Sequence, residues 1–278
     1  MRRGVLGIVG SRIADVRRAR CRRKPILIEP RIERFRRLAV GATVSDVGRI
    51  GKRVVVHLDG GLAIVFEPRM TGLVLLAAPP TAEHLRLRIG LAEGPIDELF
   101  YWDRRGLGSV RLLSAAELSE LYGNGSLGPD ALQITAADLV ERLGGSRRAI
   151  KVALLDQRAI AGIGNLYDAE ILHRARIHPA RPCHRLHDDD WRRIQRAVQK
   201  VLTDAIRYEG STLSDGTYRN ALNRSGGYQN HHRVYDREGL RCVICRTAEI
   251  QRIVQAQRAT FFCPQCQPSK LARIASSR

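Results

Sequence analysis

Cys242-Val243-Ile244-Cys245 and Cys263-Pro264-Gln265-Cys266 stand near the C-terminus, with seventeen residues between the inner cysteines. Two Cys-x-x-Cys knuckles at that separation predict a tetrathiolate zinc site on two short hairpins. Four protein thiolates leave no coordination position for water or substrate, so the metal is expected to be structural. Gln257-Arg258-Ala259-Thr260-Phe261-Phe262, between the knuckles, suits a strand that returns to the second one. Arg258 is then the residue that the stapled module presents.

Outward from this module the chain is strongly basic. Its 278 residues carry a formal charge of +19, and 42 of the 47 basic side chains are Arg, which favours bidentate phosphate contacts. A hydrophobic content of 44% allows packed cores and excludes a disordered polycation. The first 53 residues hold 16 basic against 4 acidic side chains, and residues 225–278 hold 9 against 3. A basic excess at both ends predicts a polyanion, nucleic acid first, held between two modules. Cys21 and Cys183, left over from the zinc set, do not make a disulfide framework, so a reducing cytoplasm is expected. Arg2 and Arg3 are not followed by a long apolar run, and the longest apolar stretch, 73–80, is too short to span a bilayer. Neither a signal peptide nor a membrane partner is expected.

Residues 1–113 read mainly as β, with short segments at 11–20, 42–50, 53–58 and 62–66 and a hairpin turn at Asp59-Gly60-Gly61. Leu85-Arg86-Leu87-Arg88-Ile89 alternates as a half-buried strand should. Ser114 and Glu117 form a capping box, and 123–129 reads as a linker. Helices are predicted at 135–143, 149–155, 165–174 and 188–208, the last with Asp188-Asp189-Asp190 complementing its N-terminus. The polar, Gly- and Ser-rich stretch 209–239 predicts a mobile loop that acts on a ligand. Gly162-Ile163-Gly164-Asn165 ahead of a helix offers free amides and a side chain to a phosphate, with Arg147, Arg148 and Lys151 about a helical turn upstream.

Together these segments resemble the formamidopyrimidine-DNA glycosylase and endonuclease VIII family, most closely its formamidopyrimidine-DNA glycosylase branch. Residues 53–76 are similar to the family's hairpin region, and Tyr101-Trp-Asp-Arg-Arg-Gly-Leu-Gly108 to its Asp-Pro-Arg-Arg-Phe-Gly segment. Residues 162–170 followed by Ile177-His178-Pro179 resemble its helix-two-turn-helix signature, and 234–239 with the cysteine pairs its zinc finger. The resemblance implies an α+β multidomain fold. It consists of an N-terminal antiparallel β-sandwich (1–125), a helix-two-turn-helix domain (132–225) and a zinc-finger β-hairpin (234–267). It implies a monomer of the bacterial cytoplasm or nucleoid that binds one structural Zn2+ and double-stranded DNA containing damaged bases or abasic sites. The implied activity is that of a bifunctional DNA glycosylase and lyase, which excises oxidised purines and nicks the strand by β,δ-elimination.

Residue by residue, the resemblance makes Lys52 a proton carrier in β-elimination, provided burial lowers its pKa. Arg258 serves the late elimination step. Met70 is the wedge that fills the gap left by a flipped nucleotide, and Arg105 faces the orphaned base. Leu107 stands where the family has Phe, which weakens stacking there. His84, Arg147, Lys151 and Asn165 match backbone-contacting positions. The family's nucleophile and acid are Pro-Glu directly after the initiator Met, whereas this chain opens Met1-Arg2-Arg3-Gly4-Val5. That opening resembles the family's sequence entered partway along its first helix. Three readings stand at this point: a longer natural protein, a damaged-DNA-binding protein that has lost base excision, and a non-enzymatic zinc-ribbon nucleic-acid-binding protein.

Overall fold

Apolar residues at alternate positions lay down most of the first unit. The computed structural model describes residues 1–269. After a 3-10 segment at Arg2–Ile8 come β1 (Arg12–Arg18), β2 (Leu27–Glu29) and helix α1 (Ile32–Ala39). There follow β3 (Val44–Ile50), β4 (Arg53–Leu58), β5 (Leu62–Glu67), β6 (Gly72–Leu75), β7 (Leu85–Ala92), β8 (Glu98–Asp103), β9 (Ser109–Ser114) and α2 (Ala115–Tyr122). The strands make two sheets, in the orders β1-β7-β8-β6 and β2-β9-β5-β4-β3. Their pairings are antiparallel, apart from the parallel pair β2–β9.

The pleat sorts the side chains as a sandwich requires. Val54, Val56 and Leu58 of β4 join Ile64, Phe66, Leu87, Ile89 and Tyr101 in a core drawn from both sheets. Val55, Ala63, Val65 and Leu113 face the other way, under Leu118 and Tyr122 of α2. The expected strands and the hairpin are present. Helix α1 lies inside the region read as β; it buries only Phe35 and Ala39, too short a stripe to show a period in sequence.

One segment departs from the expected division at 1–125 and 132–225. Tyr208–Gln229 clusters with Met1–Ser126, while Leu127–Arg207 forms the second unit with the chain from Asn230 onward. The cause is packing: Ala221 is buried in the sandwich core, Tyr218 packs beside Leu73, Leu75 and Trp102, and Leu76 N–H donates to Ala221 O at 2.7 Å. The long polar stretch therefore has fixed points, among them Asn223 Nδ2 on Ala78 O at 2.9 Å and Thr212 Oγ1 on Tyr218 O at 2.6 Å.

The second unit contains α3 (Ala136–Leu143), α4 (Ile150–Leu154), α5 (Asn165–Ala175) and α6 (Asp188–Arg207), then β10 (Gln251–Gln255) and β11 (Arg258–Phe262). Between α4 and α5 the Gln157 side chain braces the turn, donating to Leu155 O and Ile163 O and accepting from Gly162 N–H. Gly162 stands there at φ 117°, open to glycine and strained for other residues. Asp190 accepts from His187 N–H and pairs with Arg181, which gives the acidic start of α6 its structural role. Among the described residues no helix is long and apolar enough to cross a membrane.

Candidate nucleic-acid interface and metal centre

The four cysteine sulfurs all lie within 4.8 Å of one another. A tetrahedron with metal–sulfur bonds near 2.3 Å has edges of about 3.8 Å. The separations Cys242–Cys266, 3.8 Å, and Cys245–Cys263, 3.6 Å, match it. Ile244 N–H points at Cys242 Sγ and Cys266 N–H at Cys263 Sγ, both at 3.4 Å, as donors to thiolates do. Gln267, fully buried, accepts from Cys263 N–H and donates to Ile177 O, fastening the second knuckle to the helical body. The residues fit one structural zinc ion.

Helix α5 seats this finger through residues one turn apart. Asn165 Nδ2 donates to Ala259 O at 3.0 Å, Ala169 enters the finger's small core, and His173 Nε2 lies 3.5 Å from Cys242 Sγ. Glu170, buried, accepts the backbone amides of Arg233, Val234 and Tyr235. Burial, with Arg233 and Arg176 adding to it, lowers the His173 pKa to about 4, so the ring is neutral at physiological pH. Glu170 and His173 were not singled out from sequence, because only the fold turns one helical face onto a metal knuckle.

At the other end of the finger, Ala256 and Gln257 both adopt left-handed conformations, φ 46° and 59°, in a two-residue turn that aims the exposed Arg258 outward. Lys151, fully buried, has no hydrogen bond at Nζ. Its desolvation lowers its pKa, Asp168 opposes that shift, and Arg258 adds to it. The fold thus brings Lys151 into electrostatic range of Arg258, and Asn165 ties the same strand through Ala259. Arg147 is exposed just ahead of α4, while Arg148 is committed to Asp156 at 3.0 Å.

In the sandwich unit two loops meet. Met70, 73% exposed, tips the turn between β5 and β6, and Arg105 Nη1 lies 3.2 Å from its Sδ. Leu107 is exposed on the same loop as Arg105. The buried Asp103 carboxylate holds the pair together, accepting from Thr71 Oγ1 at 2.6 Å, Arg105 N–H at 3.2 Å and Gly108 N–H at 2.8 Å. Arg86, also buried, donates to Asp103 O at 2.7 Å and Lys24 O at 2.9 Å. Asp103 lies within the quoted Tyr-Trp-Asp-Arg-Arg motif, but its bracing role shows only once both loops are in place. His84 packs edge-on against Trp102, ring centroids 5.4 Å apart. Lys52 sits on the β3–β4 turn and is exposed. Cys183 is buried and its thiol is pushed up to about 11, which leaves it inert.

A β-sandwich, a helix-two-turn-helix body and a four-cysteine finger in this order define a class of modular zinc-finger proteins. Family models match throughout: the formamidopyrimidine-DNA glycosylase N-terminal domain over 1–110, the H2TH domain of the same glycosylase over 127–217, and the zinc finger found in FPG and IleRS over 239–268. Among curated relatives, the formamidopyrimidine-DNA glycosylase of Chloroflexus aggregans is 41% identical, the match covering 87% of each chain. That of Thermus thermophilus is 39% identical over 83% of this chain and 84% of its own. The crystal structure of the Thermus thermophilus Fpg protein superposes with a TM-score of 0.81 at 35% identity, covering 94% of this chain and 92% of that one. A Lactococcus lactis Fpg complex with DNA containing an abasic site gives 0.82 at 29% identity, covering 94% of each. The chain belongs to the formamidopyrimidine-DNA glycosylase family.

Proposed function

We propose that the protein is a DNA repair glycosylase with lyase activity, acting on oxidised or ring-opened purines in duplex DNA. The observation that carries this reading is the Met70–Arg105 tip. A largely exposed thioether and a guanidinium 3.2 Å away stand on two loops braced by one buried carboxylate. An exposed, unbranched apolar side chain on a braced loop beside a planar cation suits insertion into a base stack, Met70 filling the space of an extruded nucleotide and Arg105 reading its former partner. Phosphates are held by Lys151, Asn165, Arg147 and His84, which set register rather than sequence preference. The extruded base is gripped by the stretch 211–229.

Excision proceeds by attack of an amine on the sugar, with loss of the base and formation of a Schiff base. The resemblance assigns that amine to a proline that follows the initiator methionine. Lys52 moves the proton of β-elimination, with DNA supplying the desolvation its exposed position lacks, and Arg258 acts in the second elimination. Zinc, when bound, supplies folding energy to the finger that aims Arg258.

The test is borohydride trapping on a duplex containing a ring-opened purine, with the protein carrying its native, sequenced N-terminus. A covalent adduct is expected. Binding without an adduct would leave a damaged-DNA-binding protein and refute the catalytic reading. On duplexes with an abasic site, Lys52→Ala is expected to slow nicking strongly while leaving affinity nearly unchanged.

A further inference from the structure

At the end of α5 remote from Asn165, five arginines line a cavity of about 430 Å3. Arg174 and Arg176 come from the C-terminal end of α5, Arg193 and Arg196 from one face of α6, and Arg233 from the segment entering the finger. His173 and Cys266 complete one wall. Eight residues of helix separate Asn165 from His173, about 12 Å, so this cluster is distinct from the phosphate-holding set assigned above.

Countercharge is scarce there. Asp190 pairs with Arg193 but also with Arg181, and Glu170 is committed to three backbone amides. Among the described residues no carboxylate forms an ion pair with Arg174, Arg176, Arg196 or the Arg233 side chain. A bound zinc-tetrathiolate centre carries two negative charges and offsets part of the field. A positive excess remains after all of these are counted. Arg176 occupies the left-handed position that ends α5, φ 58°, a conformation that glycine adopts without strain.

Planar guanidiniums match phosphate oxygens in pairs, and with Arg193 held by Asp190 the four remaining arginines present more paired donors than one phosphate fills. The half-open cavity of about 430 Å3 has the volume of a small-molecule site rather than of a duplex groove. We propose that this cavity binds a compact di- or triphosphate group, free or carried on a nucleotide.

Calorimetric titration of the zinc-loaded full chain at low ionic strength tests this, with pyrophosphate, tripolyphosphate, ATP and orthophosphate as probes. Saturable one-to-one binding of pyrophosphate and tripolyphosphate is expected, roughly tenfold or more tighter than orthophosphate. ATP binding as tightly as tripolyphosphate assigns the site to the phosphate chain alone, and tighter binding adds a nucleoside contact; both outcomes support it. Arg174→Ser with Arg196→Ser, and separately Arg176→Gly, which relaxes the backbone, are each expected to weaken pyrophosphate roughly tenfold. Zinc content and affinity for damaged duplex should not change. Absence of saturable binding, or equal binding by both variants, overturns the proposal. Loss of pyrophosphate binding only together with zinc overturns it too, because the arginines then serve the metal centre.

Discussion

Asn165 Nδ2 donates to the backbone carbonyl of Ala259 at 3.0 Å, which joins the first residue of α5 to the strand that begins with Arg258. The finger's tip is thereby indexed to the N-terminus of α5. Loss of the metal should therefore be felt at the helix, and loss of one side chain at the tip should not be felt at the metal.

Two substitutions separate these effects. Cys263→Ser removes a fully buried ligand and is expected to abolish stoichiometric zinc and DNA binding together. Arg258→Ala is expected to keep full zinc content while strand cleavage falls roughly ten- to hundredfold, the worth of one charge-assisted hydrogen bond. Metal analysis alongside a nicking assay checks both, and equal zinc loss in the two variants would refute this division.

Asp103→Asn puts an amide donor where a buried carboxylate accepts from Thr71, Arg105 and Gly108. A cost of about 2 kcal/mol is expected, seen as a Tm lower by a few degrees. Discrimination for the base opposite the lesion should weaken as well, because Arg105 loses its anchor. Unchanged discrimination would show that Asp103 supports only the fold.

Met70→Ala removes a side chain that is 73% exposed, so unfolding free energy should change by less than about 0.5 kcal/mol. Excision from duplex should nonetheless fall, and fall less on an abasic or mismatched site where unstacking is already partly done. Fluorescence of a base analogue at the lesion reads the flipping step directly.

His232 supplies a pH signature. Burial lowers its pKa from 6.5 to about 4, against a hydrogen bond that its ring donates to the Tyr235 backbone and the charge of Asp236. The unfolded chain thus binds the extra proton between those values. Stability from the neutral ring is present above about pH 6.5 and is lost as pH falls toward 4. Thermal unfolding between pH 4.5 and 7 should show a shallower slope for His232→Gln than for the unsubstituted protein; equal slopes would reject the assignment.

Much of the fold was legible in the chain. The Asp59-Gly60-Gly61 hairpin, the Ser114 capping box and the four helices of the second unit rest on local rules of turn chemistry, capping and period, and they lie where those rules put them. Helix α1 was missed because two buried residues make no period. Residues 208–225, expected with the helical domain, cluster with the sandwich because their attachment runs through Ala221 and Tyr218 to strands more than a hundred residues earlier, which no local pattern records. Lys52 is exposed, so its proposed role depends on what DNA supplies.

Sequence alone determined the metal chemistry, since four thiolates in two knuckles name their ligand by identity and spacing. It also determined the nucleic-acid character, since an arginine excess at both ends is a property of composition. Only the tertiary structure decided which side chains come together: Met70 with Arg105 beside Asp103, and five arginines around one cavity, with Lys151 in electrostatic range of Arg258. The reason is range. Turns, caps and metal knuckles are specified within a few residues, whereas a buried brace or a charged cavity exists only after distant segments have packed.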